Sequence, residues 1–292
     1  MKMRSSNSRK RKVDLLVLSD VHLGTYGCHA KELLYYLRSI NPKTIILNGD
    51  IIDVWQFSKR YWPKSHMKVV KHIMHWVSKG KKTYYITGNH DEMMRKFAGF
   101  KMGSFQIVNK LLLNLDQSNR AWFFHGDVFD VTMQHSKWLA RLGAVGYDSL
   151  ILLNRFVNFV LDKVFKRGKI SLSKKIKAGV KSAVKYINDF EQVSADIGIE
   201  NGYQYVVCGH IHQPEIRRIH NAHGSIVYLN SGDWIENLSS LEYNNGTWTI
   251  YRFAEESSIG MTLNEATEEE ELDYGQLFNS LLSEFNGMKP NS

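Results

Sequence analysis

Cysteine is scarce in this chain of 292 residues, which contains only Cys28 and Cys208. Two thiols are too few for the disulfide framework of a small secreted protein, and they suit a reducing compartment. Long apolar runs are also missing, since no stretch approaches the roughly 18 consecutive apolar residues of a membrane-spanning helix. The hydrophobic content of 43% is still ample for a buried core. We therefore expect a globular cytoplasmic protein that is soluble or lies on a membrane surface without crossing it.

Acidic residues are absent from one basic segment and scarce in another. Residues 1–12 carry six Lys or Arg and no acid, and residues 137–185 carry twelve Lys or Arg against Asp148 and Asp162. These segments contribute +6 and +10 to a formal net charge of +9, so the remainder of the chain carries −7. The pattern predicts a basic N-terminal tail (1–12), an acidic C-terminal tail (254–292) and, between them, a domain (13–253) whose acidic part suits a cation-binding site.

Short runs rich in β-branched or aromatic residues predict seven strands. They are DLLVLS (14–19), TIILN (44–48), TYYIT (83–87), WFFH (122–125), YVVC (205–208), IVYLN (226–230) and TWTIYRF (247–253). Between the first three, residues 31–40 and 67–79 have helical spacing of their apolar side chains. The early alternation of strand and helix predicts parallel pairing in an α/β fold, and the closely spaced late strands predict a meander.

Strand signals stop between about residues 132 and 202. Two amphipathic helices fit this stretch, at about 147–166 and 173–199, and the second places lysines on one side and apolar residues on another. We predict a helical lid inserted at about residues 135–200 with one basic face. The same pattern also fits a helical pair that packs on the core or forms a dimer interface.

Five short segments place metal-ligand residue types directly after predicted strands. They are SDVHLG (19–24), NGDIID (48–53), TGNHDE (87–92), FHGD (124–127) and CGHIHQP (208–214). Loops at the carboxyl ends of strands in α/β folds converge on the ligand crevice, so these five loops can pool their ligands. The candidate metal ligands share oxygen or nitrogen donor atoms and are Asp20, His22, Asp50, Asn89, His125, His210 and His212.

These residue types suit two divalent cations about 3.5 to 4 Å apart, because an aspartate such as Asp50 can bridge both with its two oxygens. Histidine nitrogens and an asparagine oxygen complete the coordination without repelling an incoming phosphate. Asp20 and His22, like His210 and His212, are two residues apart, which in an extended chain places both side chains on one face. Glycines beside the ligands allow tight turns and close approach of the backbone.

Each segment alone has a simpler interpretation. An Asp-x-His pair after a strand is common, Asn-His-Asp usually forms a turn, and His125 or His210 alone can be a hydrogen-bonded core histidine. The five segments in this order, each with an adjacent glycine, predict a metal site instead. The other histidines have no such context and are expected on the surface or in helices, although His29 is near enough to the first loop to be a candidate for substrate contact.

The five blocks closely resemble the calcineurin-like metallophosphoesterases, whose pattern runs D-x-H, G-D, G-N-H-D, H and G-H-x-H. The resemblance implies a four-layer αββα sandwich with two metals between its sheets. One metal would take Asp20, His22, Asp50 and His212, and the other would take Asp50, Asn89, His125 and His210. It also implies that His90 stabilises or protonates the leaving oxygen, that Asp91 orients the His90 ring, and that a metal-activated hydroxide attacks phosphorus in line.

Within this superfamily, the segments GDIIDVW (49–55), HGD (125–127), GHIHQP (209–214) and the helical insertion resemble UDP-2,3-diacylglucosamine diphosphatases. Those enzymes act in lipid A biosynthesis, typically with Mn²⁺, and release UMP and an acylated glucosamine 1-phosphate. Fe, Zn and Co suit the same ligands. The resemblance implies a lipid-linked nucleotide-sugar substrate, and the basic insertion suits peripheral contact with the cytoplasmic face of the inner membrane. His90 departs from that group's best-known branch, which has arginine there.

Two other functions fit parts of the sequence. Clustered lysines suit a nuclease or nucleotide phosphodiesterase, although no aromatic single-strand platform or nucleic-acid motif accompanies them. A catalytically silent scaffold with the same fold would have no reason to retain every ligand. The sequence therefore favours a metal-dependent phosphohydrolase.

Overall fold

The computed structural model describes residues 10–55, 61–129 and 173–253. The first predicted helix of the insertion, the acidic tail and most of the basic tail lie outside these residues. The described strands are β1 (Arg11–Leu18), β2 (Ile40–Asn48), β3 (Lys82–Ile86), β4 (Lys101–Met102), β5 (Phe105–Val108), β6 (Leu111–Asn114), β7 (Arg120–Phe123), β8 (Tyr205–Cys208), β9 (Glu215–Asn221), β10 (Gly224–Asn230), β11 (Ser239–Asn244) and β12 (Thr247–Arg252).

The described helices are α1 (Ala30–Ser39), α2 (Lys64–Ser78) and α3 (Ser173–Glu200), with short 3-10 helices at Glu92–Phe97 and Asp127–Phe129. The helical spacing read from the sequence is confirmed for all three α-helices to within about three residues. None of these helices is both long enough and apolar enough to cross a membrane.

The strands form two sheets. One has seven strands in the order β12-β11-β1-β2-β3-β5-β4, and the other has five in the order β6-β7-β8-β10-β9. The predicted parallel pairing of the early strands is confirmed, with Leu16 beside Ile45 and Ile46 beside Tyr84. The carboxyl ends of β1, β2 and β3 therefore lie along one edge of the seven-stranded sheet.

Alternating side chains along the strands divide the core into three apolar clusters. Leu16 and Leu18 of β1 pack towards α1 and α2, whereas Leu15 and Val17 face the second sheet. On the far face of the five-stranded sheet, Val206, Cys208 and Tyr228 pack with Phe190 of α3. Three clusters separate four layers, which confirms the αββα sandwich.

Phe190 and Ala195 are fully buried, so from Phe190 onward α3 forms the outer layer of the sandwich. The side chains before residue 187 are not described, and the extent of the predicted insertion stays a prediction.

The predicted meander is wrong. β9 and β10 form an antiparallel hairpin in the five-stranded sheet, whereas β11 and β12 form one in the seven-stranded sheet. β8 and β10 pair in parallel, which a meander does not allow. Sequence spacing does not reveal which sheet a hairpin joins, because each hairpin needs only one apolar face. Strands β4, β5, β6, β9 and β11 were also missed, being very short or strongly polar.

We predict that Phe123→Ala lowers the free energy of unfolding by about 3 to 5 kcal/mol, because it leaves a cavity between the two sheets. Phe123 is fully buried there. Leu112→Ala on the neighbouring strand β6 is the control, since Leu112 is 45% exposed and its loss is expected to change stability by under about 1 kcal/mol. Urea unfolding checks both. Equal losses of unfolding free energy in the two variants would contradict the position of Phe123 between the two sheets.

Candidate metal centre

The predicted metal ligands all follow the carboxyl ends of parallel strands from both sheets. Asp20 and His22 follow β1, Asp50 follows β2 and Asn89 follows β3, while His125 follows β7 and His210 and His212 follow β8. Backbone hydrogen bonds join these loops: Asp20 N donates to Gly49 O (3.1 Å) and Gly209 N donates to His125 O (2.9 Å). His210 N also donates to Asp20 Oδ2 (3.1 Å), which joins the loops of the two sheets into one cluster.

The first ligand group contains Asp20, His22 and His212. One ligand atom from each lies within 4.8 Å of the others, and His212 Nε2 is 3.2 Å from Asp20 Oδ1. His22 is buried, with Nδ1 3.2 Å from Asp53 Oδ2. Its Nε2 has no hydrogen-bond partner among the described residues. A histidine held at one nitrogen by a carboxylate, with the other buried and unpartnered, fits a metal ligand.

The second ligand group contains Asp50, His125 and His210, whose ligand atoms also lie within 4.8 Å of one another. His125 Nδ1 is 2.9 Å from the carbonyl oxygen of Asn48, which can only accept, so Nδ1 donates the hydrogen. His125 Nε2 then faces the cluster, 3.1 Å from Asp50 Oδ2 and 3.3 Å from Asn89 Oδ1. Asn89 is therefore brought beside this second group.

Asp50 belongs to the second group, and a backbone hydrogen bond from His22 N to Asp50 O (2.9 Å) joins its loop to the first group. Its Oδ2 approaches His125, while its Oδ1 accepts a hydrogen bond from the backbone N–H of His90 (2.8 Å). Burial raises the pKa of Asp50, but the nearby charges of His125, His90 and His22 outweigh it and hold that pKa well below its ordinary value. The charges of His125 in the second group and His22 in the first therefore both favour the ionised form of this carboxylate.

For Asp20 and His212, as for Asp50, burial and the neighbouring charges shift the pKa in opposite directions. Burial raises the pKa of Asp20, but the charge and hydrogen bond of His212, together with the charge of His125, outweigh it and lower that pKa to about 2. Burial lowers the pKa of His212, but Asp20 and Asp233 raise it to about 9. The buried carboxylates therefore attract positive charge strongly, which is the electrostatic requirement of a cation site.

Five ligands have backbone conformations that side chains rarely adopt. The φ angles of Asp20, His22, Asp50, His210 and His212 lie between 51° and 69°. The prediction that the Asp-x-His and His-x-His pairs are extended is therefore wrong, although the side chains do reach the cluster. Non-glycine residues in the left-handed region cost free energy and concentrate at functional sites, where the surrounding structure maintains them.

Gly49 and Gly88 permit the close packing of the loops. A Cβ atom on Gly49 would lie 2.3 Å from His125 Nδ1, and one on Gly88 would lie 2.2 Å from Asp50 Oδ1. Any side chain at either position would displace a candidate ligand. This agrees with the predicted purpose of the glycines beside the ligands.

His90 and Asp91 both lie at the cluster. The prediction was that the Asp91 carboxylate orients the His90 ring, but the hydrogen bonds of these two groups go to other residues. His90 Nδ1 is 2.7 Å from Asp53 Oδ2, and His90 packs against the half-exposed ring of Trp55. Asp91 is fully buried and accepts hydrogen bonds from Tyr85 Oη, Gly88 N and Ile51 N. Asp53 therefore orients the His90 ring, and Asp91 fixes the loop backbone.

Asp53 was missed in the sequence, although it ends the NGDIID segment. Two further residues support the loops without an obvious sequence signal. His66 of α2 accepts a hydrogen bond from Gly24 N at 2.9 Å, and burial lowers its pKa to about 4, so it stays neutral. Arg95 forms an ion pair with Asp127, which links the loop after β3 to the loop after β7. His29 lies at the start of α1, 3.7 Å from Glu32.

Comparisons with known proteins agree with this geometry. The sequence profile of the calcineurin-like phosphoesterase family matches residues 13–214. The UDP-2,3-diacylglucosamine hydrolase of Blochmanniella pennsylvanica is 21% identical over 246 residues, which cover 80% of this chain and 92% of that protein. The UDP-2,3-diacylglucosamine hydrolase of Aliivibrio fischeri is 22% identical over 251 residues, which cover 82% of this chain and 98% of that protein.

Solved structures give a weaker likeness. A phosphoesterase from E. coli is 14% identical with a TM-score of 0.42, covering 82% of this chain and 93% of its own. A dimetal phosphatase from Danio rerio is 10% identical with a TM-score of 0.37, and the match covers 82% of this chain and 95% of the phosphatase. The family profile spans more than half of the chain and all five ligand segments, and so the chain belongs to the calcineurin-like phosphoesterase family and is a metal-dependent phosphohydrolase.

Proposed function

We propose that this protein cleaves the pyrophosphate of UDP-2,3-diacylglucosamine, releasing UMP and 2,3-diacylglucosamine 1-phosphate for lipid A biosynthesis. The observation that carries the proposed chemistry is the presence of two ligand groups, Asp20 with His22 and His212 and Asp50 with His125 and His210, on loops joined by hydrogen bonds. The substrate is inferred from the two curated relatives, both named UDP-2,3-diacylglucosamine hydrolase and matched over more than nine tenths of their length.

Two divalent metal ions are proposed as cofactors. One would be held by Asp20, His22, Asp50 and His212, and the other by Asp50, Asn89, His125 and His210. The unpartnered Nε2 of His22 and the inward-facing Nε2 of His125 support this assignment. Mixed oxygen and nitrogen ligands suit Mn²⁺, and also Fe, Zn or Co. When bound, such ions lower the pKa of water and neutralise phosphoryl oxygens.

His90 is proposed to donate a proton to the leaving oxygen. Asp53 holds its Nδ1, which leaves Nε2 for the substrate, and the side chain remains 16% exposed. Burial lowers the pKa of His90, but the hydrogen bond to Asp53 and the charge of Asp50 raise it above its ordinary value. A raised pKa favours the protonated form of His90, which is the form that acts as a general acid.

The substrate's acyl chains would bring the enzyme to a membrane. We propose that the protein is cytoplasmic and binds peripherally to the inner membrane through the basic helical insertion predicted from the sequence. Lys and Arg near an anionic surface each contribute about 1 kcal/mol of attraction, which supports this role for the basic segment.

Single ligand substitutions should separate the two metal sites. We expect wild-type protein dialysed against Mn²⁺ to retain about two ions per chain, and Asp20→Ala or His125→Ala to retain about one. Asp50→Ala should weaken both sites and abolish metal-stimulated turnover, because it removes the shared ligand. Elemental analysis measures the metal content independently of activity. Asp116→Ala, at an exposed turn, is the control and should retain about two ions. Full metal content in Asp50→Ala would refute the assignment of Asp50 as the shared ligand.

The role of His90 predicts a dependence on the leaving group. His90→Ala should slow cleavage of a substrate with a poor leaving group by about 10²- to 10⁴-fold, the usual range for general acid catalysis. Cleavage of a nitrophenyl phosphodiester by the same variant should slow much less, because nitrophenolate leaves without a proton. Asp53→Asn should show the same selectivity to a smaller degree. Equal losses of kcat on both substrates would exclude the proposed proton donation.

The substrate assignment is tested with Mn²⁺-loaded protein and UDP-2,3-diacylglucosamine in detergent. We expect release of UMP, with UDP-glucosamine cleaved at least about tenfold more slowly because it lacks the acyl chains. Chromatography of the nucleotide products distinguishes UMP from UDP. Preference for single-stranded DNA or for an unacylated nucleotide would overturn the proposal and favour a nucleic-acid or nucleotide phosphodiesterase.

A further inference from the structure

An exposed apolar segment follows His90 and Asp91 directly. Met93, Phe97, Phe100 and Met102 are each 47% to 53% exposed, and every residue from 96 to 103 is exposed. Single exposed apolar side chains are normal on protein surfaces. Four large ones within ten residues form a concentrated apolar surface, which more often marks an interaction site. We call Met93, Phe97, Phe100 and Met102, with Lys96 and Lys101, the 93–102 surface.

Regular hydrogen bonds hold this segment in place. Residues Glu92–Phe97 form a 3-10 helix, and Ala98 N donates to Arg95 O at 3.1 Å. Gly99 N then donates to Ile107 O (2.9 Å), and Ile107 N donates to Phe100 O (3.0 Å), which attaches the turn to β5. The two phenylalanines are therefore exposed by a folded turn with its backbone groups satisfied, and their exposure is part of the fold.

The charges on this surface are all positive. Residues 93–102 contain Arg95, Lys96 and Lys101 and no acidic residue, and both lysines are exposed. Apolar side chains interspersed with exposed lysines suit the interface of an anionic bilayer, where rings enter the headgroup region and ammonium groups meet lipid phosphates. A symmetric dimer through the same surface would instead oppose like charges, which is unfavourable.

The 93–102 surface adjoins the metal centre. Its 3-10 helix begins directly after Asp91, and Arg95 Nη2 lies 3.4 Å from the carbonyl oxygen of Gly88, the residue before Asn89. The ion pair of Arg95 with Asp127 attaches the same helix to the loop that carries His125. The Met93 end of the surface therefore lies next to the loops of the candidate ligands, whereas Lys101 and Met102 pair with β5 at the level of Tyr84 and Thr83, towards the amino end of β3.

We infer that the 93–102 surface docks on an anionic lipid bilayer, with the Met93 end of the surface towards the metal centre. The inference rests on the proposed function, since a lipid-linked substrate gives such docking its purpose. It assigns the membrane contact to an exposed turn of the folded core, in addition to the insertion predicted from the sequence.

The test is co-sedimentation of the full-length protein with vesicles of phosphatidylglycerol and phosphatidylethanolamine that contain no substrate. We expect Phe97→Ser/Phe100→Ser to weaken binding by about tenfold or more, because two rings no longer enter the interface. Lys96→Glu/Lys101→Glu should weaken binding to these vesicles but not to neutral phosphatidylcholine vesicles. Neither pair should change hydrolysis of a nitrophenyl phosphodiester in solution.

Helix α2 offers a matched control. Met67 and Met74 are 40% and 41% exposed and have the exposed Lys68 and Lys71 beside them. Met67→Ser/Met74→Ser should leave vesicle binding unchanged, and Lys68→Glu/Lys71→Glu should have a much smaller effect than the reversal at Lys96 and Lys101. If the α2 variants weakened vesicle binding as much as the variants of the 93–102 surface, the binding would reflect non-specific attraction of a basic protein, and the inference would be overturned.

Other occupants of the surface give different results. If a second copy covers it, Phe97→Ser/Phe100→Ser will convert a dimer to a monomer in light scattering without affecting vesicle binding. If another segment of this chain covers it, the same variant will lower the midpoint of urea unfolding. Either result overturns the inference. Vesicle binding without release of UMP would instead reject the proposed substrate and leave the docking surface standing, so the two failures are distinguishable.

Discussion

The structure depends on two buried carboxylates, Asp20 and Asp50, at one end of a β-sandwich. Both are almost inaccessible to water, and a buried carboxylate is stable only when opposite charge and hydrogen-bond donors surround it. Histidines from four loops supply these partners, and the depressed pKa values of both carboxylates reflect their effect. Both carboxylates therefore stay ionised, and buried negative charge of this kind attracts divalent cations.

The four-layer sandwich makes this concentration of charge possible. β1 to β3 end at one edge of the seven-stranded sheet, and β7 and β8 end beside them in the five-stranded sheet. Five ligands take left-handed backbone conformations, each of which costs free energy. The three apolar clusters stabilise the strands on which the loops depend, so the strained ligand loops keep their geometry.

The surroundings of the metal centre connect its chemistry to its proposed substrate. Asp53 contacts both His22, a candidate ligand, and His90, the proposed proton donor, so one carboxylate orients groups with two different roles. Beyond His90 the chain continues into an exposed apolar and basic turn. One candidate metal ligand (Asn89), the proposed proton donor (His90) and the proposed lipid contact thus follow one another within about fifteen residues of a single connection, between β3 and β5.

The candidate ligands, the parallel pairing of the early strands and the positions of the described helices can all be predicted from the sequence. These features are local, because a candidate ligand is recognised by its side-chain chemistry and its place after a strand, and a helix by its apolar period. Other features depend on tertiary packing: which sheet each late hairpin joins, the left-handed conformation of five candidate ligands, and Asp53 as the partner of His90. Asp53 and His90 are 37 residues apart, and contacts of this kind depend on how two loops pack, which the residues of neither loop reveal alone.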